Sequence, residues 1–268
     1  MIYKFRYQLL QLNSMQMALL TLWALIMVSL PIADWSTGWS ALIGAITVGV
    51  CVTAGLVIVL LWGVWGATAT LRAAGLILAL SWSAEVIGSR TGILFGKYSY
   101  TGLLGPQILD VPFQIPLGWL MMLPPSWAVA QAITNRANPR WRFPAFVGLS
   151  ALAMTAWDLF LDPMMVTWGM WVWDNPGNYF SIPWTNYLGW LMVSALITIL
   201  VRPGKLPVVP LLIIYTAIWL LNSVGLGVFW GIPGAAIVGS IFMGSITILA
   251  WRAFIRRDEH RIIEDGDQ

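Results

Sequence analysis

Residues 39–66 read "WSALIGAITVGVCVTAGLVIVLLWGVWG", a run without a single charged side chain. A helix needs about 20 such residues to cross the hydrocarbon core of a bilayer, and comparable runs recur along the whole chain. Only 9% of the 268 residues are charged, against about 25% in an average soluble domain. We therefore predict an all-α, polytopic transmembrane bundle rather than a membrane β-barrel, which would show alternating segments of about ten residues.

The apolar runs and the breaks between them predict eight membrane spans, with seven as the alternative count. The predicted spans cover residues 9–31, 39–66, 70–88, 113–133, 143–162, 184–202, 207–229 and 233–254. Neither a linker nor a second domain is evident in the sequence. The prediction is therefore one transmembrane domain over residues 1–268, with short cytoplasmic tails at 1–8 and 255–268.

The basic residues support this arrangement of spans. With the N-terminus inside, all of the 14 Lys and Arg residues except Arg90 and Lys97 fall on one side. This bias follows the positive-inside rule and predicts that both termini are cytoplasmic, with the cell membrane as the location. The same bias accounts for the net charge of +3. We therefore expect the protein to lie in the lipid bilayer and do not expect it to bind nucleic acid.

Cysteine and histidine usage excludes several kinds of chemistry. The single Cys, Cys51, lies inside an apolar run, and the single His, His260, lies near the C-terminus. One histidine outside the spans excludes His-based metal sites and Ser-His-Asp triads. The sequence therefore predicts no metal site of that kind.

Polar side chains collect at the predicted outer end of the spans. They are Glu85 in span three, Asp158 and Asp162 in span five, Asn186 in span six and Asn222 in span seven. Two connections at that end, 88–114 and 163–183, are long and rich in Gly, Pro and aromatic residues. We expect them to form a lid, because irregular backbone at membrane depth needs shielding by protein or water. An interfacial aromatic belt is the alternative, but it does not explain carboxyls inside the spans.

The stretch "WDLFLDP", residues 157–163, places two carboxyls four residues apart on one helix face. Burial disfavours a carboxylate anion, and two like charges at this spacing repel each other. Pro163 predicts that the pair lies in the last helical turn, where the helix dipole also disfavours anions. At least one carboxyl is therefore expected to be protonated at pH 7. Arg90 and Lys97 remain alternative ion-pair partners from the loop.

A protonated carboxyl in an apolar, aromatic pocket is a general acid. An isoprenoid alkene arriving through lipid is its natural substrate, since protonation gives a tertiary carbocation that aromatic faces stabilise. Several of the 18 Trp residues cluster near the aspartates. We expect Trp157, Trp168 and Trp190 to be among those that line the site.

Two other classes of protein stay open at this point. Asp-x-x-x-Asp is the spacing that holds Mg²⁺ against a diphosphate in membrane prenyltransferases, although no other span carries a paired Asp motif. A proton-coupled transporter would also carry membrane carboxyls. It would more often show inverted repeats with broken helices, and we find no clear repeat between the two halves of the chain.

Three stretches of the chain resemble the integral-membrane carotenoid 1,2-hydratases, the family of bisanhydrobacterioruberin hydratases and of γ-carotene and lycopene hydratases. They are "EVIGSRTGILFGKYSYTGLLGPQILDVPFQIPLGW" at 85–119, "WDLFLDPMMVTWGMWVW" at 157–173 and "GNYFSIPWTNYLGW" at 177–190. The resemblance covers roughly residues 80–190. The rest of the chain matches only in its hydropathy.

The resemblance implies an enzyme that adds water across the C1=C2 bond of an acyclic carotenoid ψ-end and leaves a tertiary hydroxyl. It implies a carotenoid substrate and no cofactor, and contact with other enzymes of carotenoid biosynthesis is among the partners expected. A ψ-end cyclase differs only in what quenches the carbocation, so it remains an alternative.

Chemistry and resemblance together suggest roles for the polar residues. Asp158 or Asp162 would protonate C2, and the other carboxyl or Glu85 would hold the attacking water. The remaining candidates for binding water or substrate are Asn186, Asn222, Tyr98, Tyr100 and Asp110. For Asp110 and Asp174, a role in ordering the loops is expected ahead of a role in catalysis.

Overall fold

The computed structural model describes residues 13–37 and 39–266, without the side chains of residue 30 and of residues 33–41 and 257–266. The predicted N-terminal tail at 1–8, and with it the predicted position of the N-terminus, lies outside the described residues.

Within the described residues the protein is built from seven α-helices and four very short strands. The helices are α1 (Ser14–Thr37), α2 (Trp39–Thr91), α3 (Gln114–Thr134), α4 (Pro139–Thr167), α5 (Trp184–Val201), α6 (Val208–Val224) and α7 (Pro233–Gly266). The strands are β1 (Tyr98–Tyr100), β2 (Gln107–Ile108), β3 (Val111–Pro112) and β4 (Trp171–Trp173), and a π-helical turn, Gly225–Phe229, extends α6. Helix α7 continues through Gly266, so the predicted C-terminal tail is helical where it is described.

Among the described residues, five helical segments are long and apolar enough to cross a membrane. They are Leu42–Thr91, Pro139–Thr167, Trp184–Val201, Val208–Phe229 and Pro233–Arg256. The protein is therefore an all-α, multi-pass membrane bundle. Helix α3 lies at its centre, packed against α2, α4, α6 and α7, and most of its residues are buried. The count of eight spans stays a prediction.

Helix α2 reverses direction at Gly66, as the break predicted there requires. Val50 and Glu85 line the same cavity, yet a straight helix would hold them about 50 Å apart at 1.5 Å per residue. The backbone of Gly66 is non-helical, with φ 74° and ψ 175°. Only glycine adopts this conformation without strain, so the two halves of α2 run side by side in opposite directions.

The end of α4 differs from the prediction. Pro163 does not terminate the helix, which continues one turn further to Thr167, so Asp162 is not in the last turn. Pro163 has no N–H to give to the carbonyl of Leu159 four residues earlier. The Tyr179 hydroxyl donates to that carbonyl instead, at 3.1 Å. The connection 163–183 thus supplies the hydrogen bond that the proline removes.

The two long connections at the predicted outer end are joined by a short β-ladder, which the sequence did not reveal. Strand β1 comes from the first connection and β4 from the second, and they pair antiparallel with Tyr98 opposite Trp173 and Tyr100 opposite Trp171. The Trp173 indole N–H also donates to the carbonyl of Phe95 at 2.9 Å. This pairing fixes four aromatic side chains over the ends of α2 and α4.

Candidate functional site

A cavity of about 190 Å³ lies beneath the paired loops, at the end of the bundle where α2 and α4 finish and α3 and α5 begin. Its aromatic lining consists of Tyr98, Tyr100, Trp157, Trp168, Trp171, Trp173, Trp190 and Trp230. Its polar lining consists of Glu85, Gln114, Asp162, Asn186 and Asn222. Among the described residues, no Lys, Arg or His lines the cavity, which suits an uncharged, apolar ligand.

Glu85 is the centre of one hydrogen-bond network in this cavity. Its side chain is buried and accepts three hydrogen bonds. The hydroxyls of Tyr98 and Tyr100 both donate to Oε2, the second at 2.7 Å. The Trp119 indole N–H donates to Oε1 at 3.1 Å. Three converging donors are the surroundings expected of an ionised carboxylate.

The two tyrosines of β1 remain hydrogen-bond donors over the whole physiological pH range. Burial, and next to it the charge of Glu85, raises the pKa of both Tyr98 and Tyr100 well above the ordinary value for tyrosine. Their rings meet edge to face with centroids 5.3 Å apart. Strand β1 therefore orients Glu85 with two fixed, neutral hydroxyls.

Asp158 and Asp162 form a second, different carboxyl site. Both are buried, and one amide nitrogen, Asn186 Nδ2, donates to Oδ2 of each, to Asp158 at 2.9 Å. Asp162 lines the cavity, whereas Asp158 lies behind it. Two neighbouring carboxyls that share the Asn186 amide in an apolar interior cannot both ionise cheaply, so a proton shared by the pair is the stable arrangement.

Stacked tryptophans form one wall beside these carboxyls. The Trp119 and Trp190 rings are nearly parallel, with centroids 4.4 Å apart, and Trp157 meets Trp190 edge to face at 6.0 Å. Trp119 thus both supports the Trp190 face and donates to Glu85. Such π-faces attract a positive charge that develops beside them.

Arg90 and Lys97 are both paired at the surface, away from the buried carboxyls. Arg90 pairs with Asp110 and Lys97 with Asp174, each at 3.2 Å. The alternative that Arg90 or Lys97 neutralises Asp158 or Asp162 is therefore wrong. The Asp110 side chain is 82% exposed and is not among the cavity residues, which corrects its inclusion as a binding candidate.

The structure brings almost all the other candidates together. Glu85, Asp162, Asn186, Asn222, Tyr98, Tyr100, Trp157, Trp168 and Trp190 line the cavity, and Asp158 contacts it through Asn186. The sequence reasoning did not single out Trp119. Its position in the sequence could have indicated a role at the site. Trp119 lies near the predicted outer start of span four, and it follows by one helical turn Ile115, which lines the cavity.

The fold defines a multi-pass helical membrane protein with carboxyl groups buried at one end. A family model described as "Carotenoid biosynthesis protein" matches residues 42–211, more than half of the chain. The protein therefore belongs to the carotenoid biosynthesis protein family, and the resemblance seen in the sequence is confirmed.

A curated relative with a named activity also matches about half of the chain. The chain is 30% identical over 134 residues to the bisanhydrobacterioruberin hydratase of Haloarcula japonica, an alignment covering 48% of this chain and 45% of the relative. The matched part thus spans about half the length of that relative. No solved structure matches the chain.

Proposed function

We propose that this protein is a carotenoid hydratase, which adds water across the C1=C2 double bond of an acyclic carotenoid ψ-end. The observation that carries the proposal is an aromatic cavity with two carboxyl sites of different character. Glu85 is a single carboxyl with three hydrogen-bond donors, whereas Asp158 and Asp162 lie together and share the Asn186 amide. One site therefore suits a negative charge and the other suits a proton. The relative's name supports the same reaction.

Asp162 is the proton donor in this mechanism, because it is the member of the pair that lines the cavity. Its O–H bond breaks as a C–H bond forms at C2, and the π-electrons of C1=C2 supply the pair for that bond. A tertiary carbocation is left at C1. Asp158 and Asn186 hold Asp162 in position and share the negative charge that the departing proton leaves.

Glu85 and the tryptophan wall stabilise the carbocation. The fixed carboxylate of Glu85 and the π-face of Trp190 provide negative potential where the positive charge develops. A water molecule then attacks C1 through its oxygen lone pair. Its extra proton returns to the ionised Asp162, so the reaction is balanced and the pair is reset.

The lining argues against transfer of a prenyl diphosphate. A diphosphate needs Lys, Arg or a bound metal to offset its charge, and no described basic residue lines the cavity, so transfer there would depend wholly on a bound metal. Arg90 and Lys97 are committed to Asp110 and Asp174 at the surface. A ψ-end cyclase would use the same acid and the same aromatic wall, so the product decides between these two activities.

Expression in a host that accumulates lycopene tests the proposal. Hydration predicts pigments heavier by one or two waters, and growth in heavy-oxygen water should place the label in the new hydroxyl. An isomer of unchanged mass would indicate cyclisation, and a five-carbon increment would indicate elongation. Unchanged pigment in cells with correctly inserted protein would count against the whole proposal.

A further inference from the structure

The cavity has a second, purely apolar part that the proposed chemistry does not use. One stripe of α2, consisting of Leu42, Ala45, Ile46, Gly49 and Val50, lines it together with Met27 of α1. The spacing of these α2 residues, three or four apart, places them on one helix face. We call this set the aliphatic arm, and it contains no ionisable side chain.

Volume shows that a carotenoid cannot be enclosed. A cavity of about 150 Å³ holds one benzene ring, so about 190 Å³ accommodates only the last one or two isoprene units of a chain. The cavity is also not closed on all sides. A long substrate bound by its end must therefore run out of the protein along an apolar path.

The seam between α1 and α6 offers that path. Met27 of α1 and Ile218 and Asn222 of α6 all line the cavity, yet these two helices touch at only a few residues. Helix α1 packs mainly along α2. Ala45 and Gly49, one turn apart on α2, have small side chains or none and so leave room beside the seam.

The geometry points to the aliphatic arm as the binding site of the polyene chain next to the reacting end, and to the α1–α6 seam as its opening to the lipid. The protein thus binds one end of a long hydrocarbon, while the middle and the far end of that hydrocarbon stay outside the protein. The inference rests on the proposed function for the identity of the ligand, and its test measures binding apart from turnover.

Quenching of tryptophan fluorescence by an acyclic carotenoid measures that binding, because tryptophans line the cavity and a polyene accepts their excitation energy. Ala45→Leu and Gly49→Leu would fill the arm and should each weaken binding about tenfold or more. Gly44→Leu is the matched control. Gly44 is exposed on the same helix, and a Cβ there meets nothing within 4 Å. The Gly44→Leu protein should therefore bind the carotenoid with the affinity of the wild type.

The seam has its own pair of variants. Met27→Trp should slow association of the carotenoid severalfold, whereas Leu25→Trp should not, since Leu25 is 65% exposed on α1 and lies outside the cavity. Helix content and melting temperature identify any variant that fails to fold. Because the arm is probed at two positions and the seam at a third, one misfolded variant does not remove the test.

The outcomes separate this inference from the proposed function. Wild-type affinity in both arm variants, or no carotenoid quenching in the wild type, would overturn the inference. Weakened binding in the arm variants, with normal binding by the Gly44→Leu protein, would support it. If the wild type bound carotenoid through the aliphatic arm but produced no hydrated pigment, the inferred binding site would be supported and the hydratase proposal would be contradicted.

Discussion

At the scale of single residues, the proposed mechanism gives three buried carboxyls different roles. Asp162 faces the cavity, Asp158 lies behind it, and Asn186 holds both. Glu85 stands apart with three donors of its own. This division follows from hydrogen-bond partners that come from distant parts of the chain, so spacing alone could not reveal it.

Replacing the proposed proton donor should lower turnover about 100-fold or more. Asp162→Asn keeps the size of the side chain but removes the acid, and general acid catalysis contributes about 10²–10⁴-fold. Asp158→Asn should lower turnover less, about tenfold, because it disturbs only the proton that the pair shares. Conversion of carotenoid by purified protein in detergent measures both effects.

The control for these variants is Asp174→Asn, which removes a half-exposed carboxyl from a surface ion pair with Lys97. It should leave turnover near the wild-type value, since exposed ion pairs contribute little. Wild-type activity in both the Asp158→Asn and the Asp162→Asn proteins would show that the pair is not the acid.

The tyrosines of β1 should act as fixed donors rather than as titrating groups. Tyr98→Phe removes one hydrogen bond to Glu85, and a hydrogen bond to a charged group is worth about 1.5–3 kcal/mol, so turnover should fall about tenfold or more. Because the pKa of Tyr98 is raised, the hydroxyl stays protonated below about pH 10. The fall should therefore be the same at every pH below that value. An alkaline limb present in the wild type and missing from the variant would contradict this role.

At the scale of elements, the reversal of α2 should depend on glycine at one position. Gly66→Ala forces a Cβ onto a backbone with φ 74°, a strain of about 1–3 kcal/mol. Gly75→Ala is the control, since Gly75 is helical and a Cβ there meets nothing within 4 Å. Thermal melts should show a lower transition for the first variant only, and equal melting temperatures would argue against a strained reversal.

The hydrogen bond from Tyr179 to Leu159 should be coupled to Pro163. Tyr179→Phe leaves the Leu159 carbonyl without its donor, at a cost of about 1–3 kcal/mol. In a Pro163→Ala background the backbone N–H returns to the helix and satisfies that carbonyl. Tyr179→Phe should then cost only a few tenths of a kcal/mol. Equal costs in both backgrounds would show that the tyrosine does not replace the missing helix bond.

Elements were predicted well from the sequence where hydrophobic length decides them. Helix α4 begins at Pro139, four residues before the predicted start of span five, but the break at Gly66 and the connection at 202–207 fall where they were expected. The end of α4 did not, because Pro163 is tolerated only with the help of Tyr179, a residue on another segment. The β1–β4 ladder was also missed, since strands of three residues carry no periodic signal of their own.

At the scale of the whole molecule, one end of the bundle concentrates the carboxyls, the stacked tryptophans and the paired loops. The sequence placed nearly all of these residues at the same predicted leaflet, because the order and direction of the spans suffice for that. It could not show which of them share a cavity. Trp119 illustrates the limit, as its contacts with Glu85 and Trp190 join three helices.

The central claim is that the protein hydrates a carotenoid by protonation from a buried carboxyl pair. Its most direct test supplies purified protein with lycopene in heavy-oxygen water and follows the pigment by mass spectrometry. The account predicts a product heavier by one or two labelled waters, formed by the wild type and not by the Asp162→Asn variant. A product of unchanged mass, or labelled product from both proteins at equal rates, would contradict it.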